Sequence, residues 1–278
     1  MKRILDKFFY PNSVAVVGAT EKPEKISYAV VRNLLAGGFK GAVYPVNPKH
    51  QTVQGLKCFA RLKDLPEKPD LVVFALPAAL IPPLMKDCKQ AKVECAVVLS
   101  AGFKEAGPAG EALFRDLKRE AATHGVHLIG PNCLGLVTPS IGLNATFAPM
   151  MPPAGRVAFI SQSGALGSAI LDWAADKNVG FSHFVSVGRI ADMLRRYPHV
   201  RAALPAVGYS DQETRDLEET VRRVPADSVL IATPTDLSHV VRIEKPWTRA
   251  RYELADMAPP ALADIVSDWL ASARTEAT

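Results

Sequence analysis

The stretch Ser13–Thr20, Ser-Val-Ala-Val-Val-Gly-Ala-Thr, decides the fold of this chain. Its apolar residues are typical of a strand that is buried on both faces, as in a parallel sheet. Gly18 follows at once and permits a tight turn, where the phosphates of a ligand can approach bare backbone. The apolar residues from Ile26 to Leu35 then recur with helical spacing. Strand, glycine turn and helix together predict the opening unit of a nucleotide-binding α/β fold.

The alternation of strand and helix continues along the chain. Apolar runs that predict strands lie at 42–46, 70–75, 95–100 and 127–130, with helical periodicity over about 80–91 and 110–123. We therefore predict a Rossmann-like, doubly wound parallel sheet over residues 1–133. Residues 138–154, rich in proline and turn formers, are interpreted as a connection or excursion between domains. The pattern restarts with strands at 155–160 and 181–187, so a second α/β domain is predicted over 134–278. Within it we also predict strands at 228–232 and 249–254, and helices over 189–197, 213–223 and 262–271.

Composition and charge exclude several classes of protein. No Lys/Arg run interleaved with aromatic residues accompanies the formal charge of +5, so a nucleic-acid partner is not expected. No apolar run approaches the roughly 20 residues that span a bilayer, so no membrane segment is expected. The first eight residues are charged too early for a signal-peptide core, which predicts a cytoplasmic protein. The cysteines form no C-x-x-C pair, so we expect reduced thiols and no metal site.

The turn residues indicate which nucleotide would bind. The dinucleotide fingerprint requires G-x-G-x-x-G and an acidic residue about 20 residues later. Here Gly18 is the only glycine of its turn, and Asn47, Lys49 and His50 stand where the second strand ends. No carboxylate is there to bind the ribose hydroxyls of NAD, and a lysine favours an additional ribose phosphate. The local residues argue against NAD and leave NADP and coenzyme A (CoA) open.

Seven short motifs, in order and at matching spacing over residues 8–188, carry a family resemblance. They are Ser13–Thr20, Tyr28–Phe39, Val43–Lys49, Leu76–Ala78, Leu99–Phe103, Gly130–Gly135 and Ser161–Gly167. This set resembles the CoA-binding domain of the NDP-forming acyl-CoA synthetases, the relatives of the succinyl-CoA synthetase α chain. The resemblance implies a Rossmann-like CoA-binding domain followed by a flavodoxin-like one. Within the second domain, residues 134–190 would be synthetase-like and 191–278 divergent.

The resemblance also implies site residues. The expected CoA-binding residues are Gly18, Ala19, Thr20 and Lys25 at the phosphates, Asn47 and Lys49 at the adenosine 3′-phosphate, and Pro77, Ala78, Gly102 and Phe103 along the adenine and pantetheine path. The expected phosphoryl-binding residues are Asn132, Ser161, Ser163 and Gly164. Hydroxyls and free N–H groups at a helix N-terminus bind a phosphoryl group well, which supports the second set independently.

The C-terminal third departs from that family. The family's phosphohistidine lies in a Ser-His-Thr-Gly-like motif, and this chain has no such motif, so no catalytic residue is predicted. His199 and His239, the only histidines far enough along, are interpreted as ordinary surface or core residues. Four stretches point to another family: Leu194–His199, Leu204–Tyr209, Ala232–Leu237 and Arg249–Leu254. With them, residues 192–270 resemble the C-terminus of the cyclic 2,3-diphosphoglycerate synthetase-like P-loop nucleotidases. No G-x-x-x-x-G-K-[ST] phosphate loop occurs.

Three functions remain open from the sequence. The first is a CoA- or acyl-CoA-binding protein, related to the synthetase α part and not catalytically complete alone. The second is an ADP- or GDP-forming acyl-CoA ligase subunit acting with an ATP-grasp (β-type) partner. The third is an NADP-binding reductase or sensor. Homo-oligomerisation is compatible with each. The missing phosphohistidine motif favours the first over the second.

Overall fold

The structure, a computed structural model, describes residues 4–161, 163–186, 226–231 and 241–249, together with residues 215, 218, 219, 221 and 222. The helices are α1 (Ile4–Phe9), α2 (Ile26–Ala36), α3 (Ile81–Gln90), α4 (Pro108–His124) and α5 (Gly164–Asp176). The strands are β1 (Ser13–Val17), β2 (Ala42–Val46), β3 (Thr52–Val53), β4 (Leu56–Lys57), β5 (Leu71–Phe74), β6 (Cys95–Val98), β7 (His127–Ile129), β8 (Gly135–Thr138), β9 (Leu143–Thr146), β10 (Ala154–Ser161), β11 (Phe181–Ser186), β12 (Ser228–Ile231) and β13 (Trp247–Arg249).

The first sheet is parallel and has the order β2-β1-β5-β6-β7. All five residues of β1 are buried, as its apolar sequence predicts for a central strand. A parallel bridge between Val46 and Phe59 adds a short extended segment outside β2. With that segment counted as the third strand, the order is the Rossmann order 3-2-1-4-5-6, which reverses direction between β1 and β5. The predicted Rossmann-like parallel sheet is confirmed.

The second sheet is mixed, in the order β13-β12-β10-β11-β8-β9. Strands β10 to β13 pair in parallel, whereas β8 pairs antiparallel with both β11 and β9. The interpretation of 138–154 as a connection or excursion between domains includes no strand, whereas Leu143–Thr146 forms the buried strand β9. The polar residues of β9 do not indicate a buried strand in the sequence, but in the folded chain they form hydrogen bonds with each other. The Thr146 hydroxyl donates to Asn144 Oδ1 over 2.7 Å.

The two sheets share a hydrophobic cluster. Residues of the first sheet and of α2, such as Val16 and Val31, pack with Leu143 of β9, Leu136 of β8 and Val185 of β11. The far face of the first sheet has its own cluster beneath α3 and α4. A third cluster lies between α5 and the second sheet, where the rings of Phe159 and Phe184 stack with centroids 4.6 Å apart. The predicted division after residue 133 stays a prediction about domains.

Part of the predicted C-terminal structure falls on described residues. The strand predicted at 228–232 is present as β12, and the described residues of the predicted helix 213–223 are helical, with Val221 buried. Of the predicted strand 249–254, only Arg249 is described, as the last residue of β13. The predicted helices at 189–197 and 262–271 lie outside the described residues. No helix in the described part of the chain is long and apolar enough to cross a membrane.

Candidate functional site

The carboxyl ends of β1, β2, β5, β6 and β7 meet along one edge of the first sheet, called the carboxyl edge below. Gly18 ends β1 here with a φ of +93°, a region that side chains rarely adopt. A Cβ on Gly18 would lie 2.7 Å from the carbonyl oxygen of Ala75, just after β5. The Gly18 N–H donates to the Val46 carbonyl of β2 over 2.9 Å. The glycine turn therefore sits at the point where the strand order reverses, which is where open α/β sheets bind ligands.

Asn47 connects this turn to the end of β2. Its Nδ2 donates to the Ala19 carbonyl over 2.8 Å, and its Oδ1 accepts the Lys49 N–H over 3.0 Å. Ala19 is buried and Lys49 is exposed, so Asn47 ties the buried end of the glycine turn to a lysine whose side chain is in solvent. The structure brings these predicted residues together.

The loop between β1 and α2 carries Thr20 and Lys25. Thr20 is buried, and its Oγ1 accepts the Lys22 N–H over 3.4 Å. Lys25 is exposed at the N-cap of α2 and makes no side-chain cap. The carboxylate of Glu21 accepts the Gln54 N–H over 2.7 Å, so it is held at the β3–β4 hairpin. That bond fixes the position of the Glu21 carboxylate, which would repel an anionic ligand if it lay at the glycine turn.

The turns after β5 and β6 face each other. Pro77 is exposed and Ala78 is buried, and a Cβ on Gly102 would lie 3.1 Å from Ala78 Cβ. Only a residue without a side chain permits this approach comfortably, and the φ of Gly102, +106°, also favours glycine. The ring of Phe103 is 1% exposed and belongs to the core beneath α3 and α4. Phe103 therefore presents its backbone to this edge, while its ring anchors the turn.

The predicted phosphoryl-binding residues lie where the two sheets approach. Asn132, with a φ of +53°, follows β7 and donates its N–H to the Ser100 carbonyl after β6. In the second sheet, Ser163 caps α5 by accepting the Leu166 N–H over 3.2 Å, and the Ser161 hydroxyl bonds to Ser163. A Cβ on Gly164 would lie 3.9 Å from Leu134 Cβ, so the start of α5 is beside the segment that follows Asn132.

Sequence reasoning missed two residues that hold this edge together. Glu105 Oε1 accepts the N–H of Gly102 over 2.6 Å and that of Phe103 over 3.3 Å. The Ser100 hydroxyl donates to the Leu76 carbonyl over 2.6 Å. The spacing Gly-x-x-Glu places a carboxylate within one turn of free N–H groups and was the available signal for Glu105. No local pattern marks Ser100, because its partner comes from another strand.

The described residues offer no activated thiol at this edge. Cys133 directly follows Asn132, but complete burial raises the pKa of its thiol to about 12, so it stays protonated at neutral pH. All four cysteines are buried and unpaired. No group of three or more His, Cys, Asp and Glu residues with metal-ligand geometry occurs in the described part of the chain. What the edge supplies is backbone, hydroxyl and lysine groups, which bind anions.

The fold and this edge define a class: a Rossmann-like nucleotide-binding domain joined to a flavodoxin-like domain. Residues 12–139 match the CoA binding domain family, and residues 154–195 match the succinyl-CoA ligase like flavodoxin domain. Across these residues the chain is homologous to NDP-forming acetate–CoA ligases and to α subunits of such ligases.

Individual relatives agree with this assignment. The chain is 44% identical over 187 residues to the ADP-forming acetate–CoA ligase I of Archaeoglobus fulgidus, a match that covers 67% of this chain and 27% of that protein. It is 40% identical over 190 residues to the α subunit of ADP-forming acetate–CoA ligase II of Pyrococcus furiosus, covering 68% and 41%. The chain thus spans well under half the length of these two relatives.

A solved structure supports the fold. The dinucleotide forming acetyl-coenzyme A synthetase 1 of Ca. Korarchaeum cryptofilum, in complex with phosphate and ADP, has a TM-score of 0.69 and 36% identity to this chain. The match covers 82% of this chain and 51% of that one. The predicted Rossmann-like and flavodoxin-like classes are confirmed. The family matches end at residue 195, and the predicted likeness of 192–270 to P-loop nucleotidases stays a prediction.

Proposed function

We propose that this chain binds CoA or acyl-CoA at the carboxyl edge, as a protein related to the α part of the NDP-forming acyl-CoA ligases that is not catalytically complete alone. One observation carries the proposal. The Gly18 turn lies at the reversal of the strand order and is tied through Asn47 to Lys49. The exposed backbone of the glycine turn can bind the phosphates of a nucleotide, and the lysine ammonium can bind a further phosphate on the ribose. Gly18, Ala19, Thr20 and Lys25 would hold the pyrophosphate, and Pro77, Ala78, Gly102 and Phe103 the remaining path.

Calorimetry with CoA, dephospho-CoA, NADP and NAD tests this site. We expect CoA to bind more tightly than dephospho-CoA, and the preference to fall about tenfold in Lys49→Ala, because the paired charges are lost. Lys89→Ala is the matched control, since Lys89 is exposed near the end of α3, at the opposite edge of the sheet. Equal binding of CoA and its dephospho form would contradict the Lys49 assignment. Preferential binding of NADP would favour the reductase or sensor function instead.

A ligase role requires a partner. The relatives are longer than the matched part of this chain, and this chain has no phosphohistidine motif of the expected form. We propose that an ATP-grasp partner would supply nucleotide chemistry, and that the Ser161–Ser163 turn beside Asn132 would dock a phosphoryl group. Of the histidines, His183 is buried, and His199 and His239 lie outside the described residues.

Labelling distinguishes a complete ligase from a CoA-binding component. The chain is incubated with labelled ATP, CoA and an ATP-grasp partner from a characterised ligase of this family. We expect no acid-labile label on this chain, because the motif that carries the phosphoryl group is missing. An acid-labile label would establish a phosphohistidine and the full ligase reaction. The matched control is an α subunit that contains the motif, labelled in the same mixture.

A cytoplasmic location is proposed as well. Four buried, unpaired cysteines suit a reducing compartment. Cell fractionation with the native chain tests this, and recovery outside the cytoplasmic fraction would contradict it.

A further inference from the structure

Asn47 has an unusual position among the residues of the carboxyl edge. Both polar ends of its side chain are already in hydrogen bonds with the protein, to the Ala19 carbonyl and to the Lys49 N–H. These two partners belong to turns that follow different strands, 28 and 2 residues away in sequence. A carboxamide donates from its nitrogen and accepts at its oxygen, so this one side chain serves both partners.

The backbone of Asn47 is also held. Its N–H donates to the Phe59 carbonyl over 2.9 Å, and its carbonyl accepts the His50 N–H over 3.3 Å. The residue is thus fixed between the short segment outside β2 and its own turn. Because this backbone is held, the Asn47 side chain has a fixed position, and its two hydrogen bonds fix the positions of both partners.

We propose that Asn47 is a positioning residue that couples the glycine turn to the Lys49 turn, and thereby sets the preference for a ribose 3′-phosphate. The inference rests on the proposed function for its ligand. The bond to the Ala19 carbonyl fixes the orientation of the Ala19–Thr20 peptide, which directly follows Gly18. Holding the Lys49 N–H closes the turn that carries the lysine. Asn47 acts through these two groups.

A double-mutant cycle tests the coupling to Lys49. The ratio of CoA to dephospho-CoA affinity is measured by calorimetry in wild type, Asn47→Ala, Lys49→Ala and the double variant. We expect Asn47→Ala to lower the ratio severalfold, and the double variant to have the same ratio as Lys49→Ala, because Asn47 acts through the lysine. An Asn47→Ala variant that weakens both ligands equally would overturn the proposal, since a merely structural role predicts that result. Independent, multiplicative losses would overturn it too.

Amide hydrogen exchange of the ligand-free protein tests the coupling without any ligand. Asn47→Ala should raise exchange in both 18–22 and 47–50, while β5 and β6 stay protected and show that the fold is intact. Asn47→Asp keeps an acceptor for the Lys49 N–H but loses the donor to Ala19. It should therefore release 18–22 and leave 47–50 protected. A change confined to 47–50 in Asn47→Ala would overturn the coupling.

The two measurements separate the two proposals. If wild type does not prefer CoA, the proposed function fails, and the exchange experiment still decides whether Asn47 joins the two turns. If wild type prefers CoA and Asn47→Ala leaves that preference unchanged, the proposed function stands and the role of Asn47 fails.

Discussion

Asn33, in the middle of α2, donates a hydrogen bond from Nδ2 to the carbonyl of Thr146 in β9, 2.8 Å away. The same Nδ2 donates to the Ala148 carbonyl over 2.6 Å. All three residues are buried. Because α2 starts at the loop that follows the glycine turn, this asparagine ties the helix behind the nucleotide turn to the edge of the second sheet.

Removing the donors of Asn33 should destabilise the fold. Asn33→Leu leaves two buried carbonyls without a partner, so we expect the free energy of unfolding to fall by about 3 kcal/mol. Asn33→Asp, of similar shape but without donors, should lose at least as much at neutral pH. Leu35→Ala, at an exposed position of the same helix, is the control and should change stability by less than about 0.5 kcal/mol. Urea unfolding measures all three, and equal stability of Asn33→Leu and Leu35→Ala would contradict the interpretation.

A side chain at Gly18 should disturb both folding and binding. Gly18→Ala combines an unfavourable φ with a contact of 2.7 Å to the Ala75 carbonyl oxygen. Gly38→Ala is the matched control, because Gly38 also has a positive φ, +70°, but open space around it. We expect Gly38→Ala to cost about 1 kcal/mol and Gly18→Ala about 2 kcal/mol more. Gly18→Ala should also weaken CoA binding by about tenfold or more in calorimetry. Similar costs for the two variants would show that the close approach is unimportant.

His183 should make the protein less stable in acid. It lies in β11, 2% exposed, with Phe9 and Tyr10 of the first segment packed edge-to-face against its ring. Neither ring nitrogen has a hydrogen-bond partner among the described residues. Burial, with a further contribution from the Lys245 charge, lowers the pKa of His183 from 6.5 to about 4.

The sign follows from proton binding. Between pH 6.5 and about 4 the unfolded chain binds a proton at His183 that the folded chain does not, so stability falls as the pH falls. The expected loss across this window is about 3 kcal/mol, since one pKa unit corresponds to about 1.4 kcal/mol. His183→Phe should remove this part of the pH dependence, whereas His127→Phe, at an exposed histidine, should keep it. Urea unfolding at several pH values checks this, and parallel curves for wild type and His183→Phe would contradict it.

Glu105 should support ligand binding without contacting the ligand. Glu105→Ala removes the acceptor of the Gly102 and Phe103 N–H groups, so the turn that faces Ala78 loses two stabilising hydrogen bonds. We expect CoA affinity to fall about fivefold, as for the loss of one to two hydrogen bonds. Glu105→Gln keeps an oxygen acceptor and should retain most of the affinity. Glu111→Ala, at an exposed ion pair in α4, is the control. An unchanged affinity in Glu105→Ala would show that the Gly102–Phe103 turn keeps its conformation without the Glu105 carboxylate.

The confirmed parts of the prediction depend on short-range signals. The β1 run, the glycine at its end and the helical period of α2 lie within about 25 residues of one another and mark their elements without reference to the rest of the chain. Strand β9 was not predicted. Its signal is weak because two of its four residues are polar although all four are buried, and the hydrogen bond between Asn144 and Thr146 forms only in the folded chain.

By itself the sequence determined the alternation of strands and helices, the glycine turn, and the presence of Lys49 where an acidic residue would bind NAD. These are properties of local spacing and residue type, and the chain carries them before it folds. Only the tertiary structure decided that Asn47 joins two turns, that Glu105 braces a third, and that Asn33 and His183 connect the two sheets. Each of these depends on contacts between distant segments. A hydrogen bond or a buried ring contributes to the free energy of folding only when folding brings its partner into contact and excludes water.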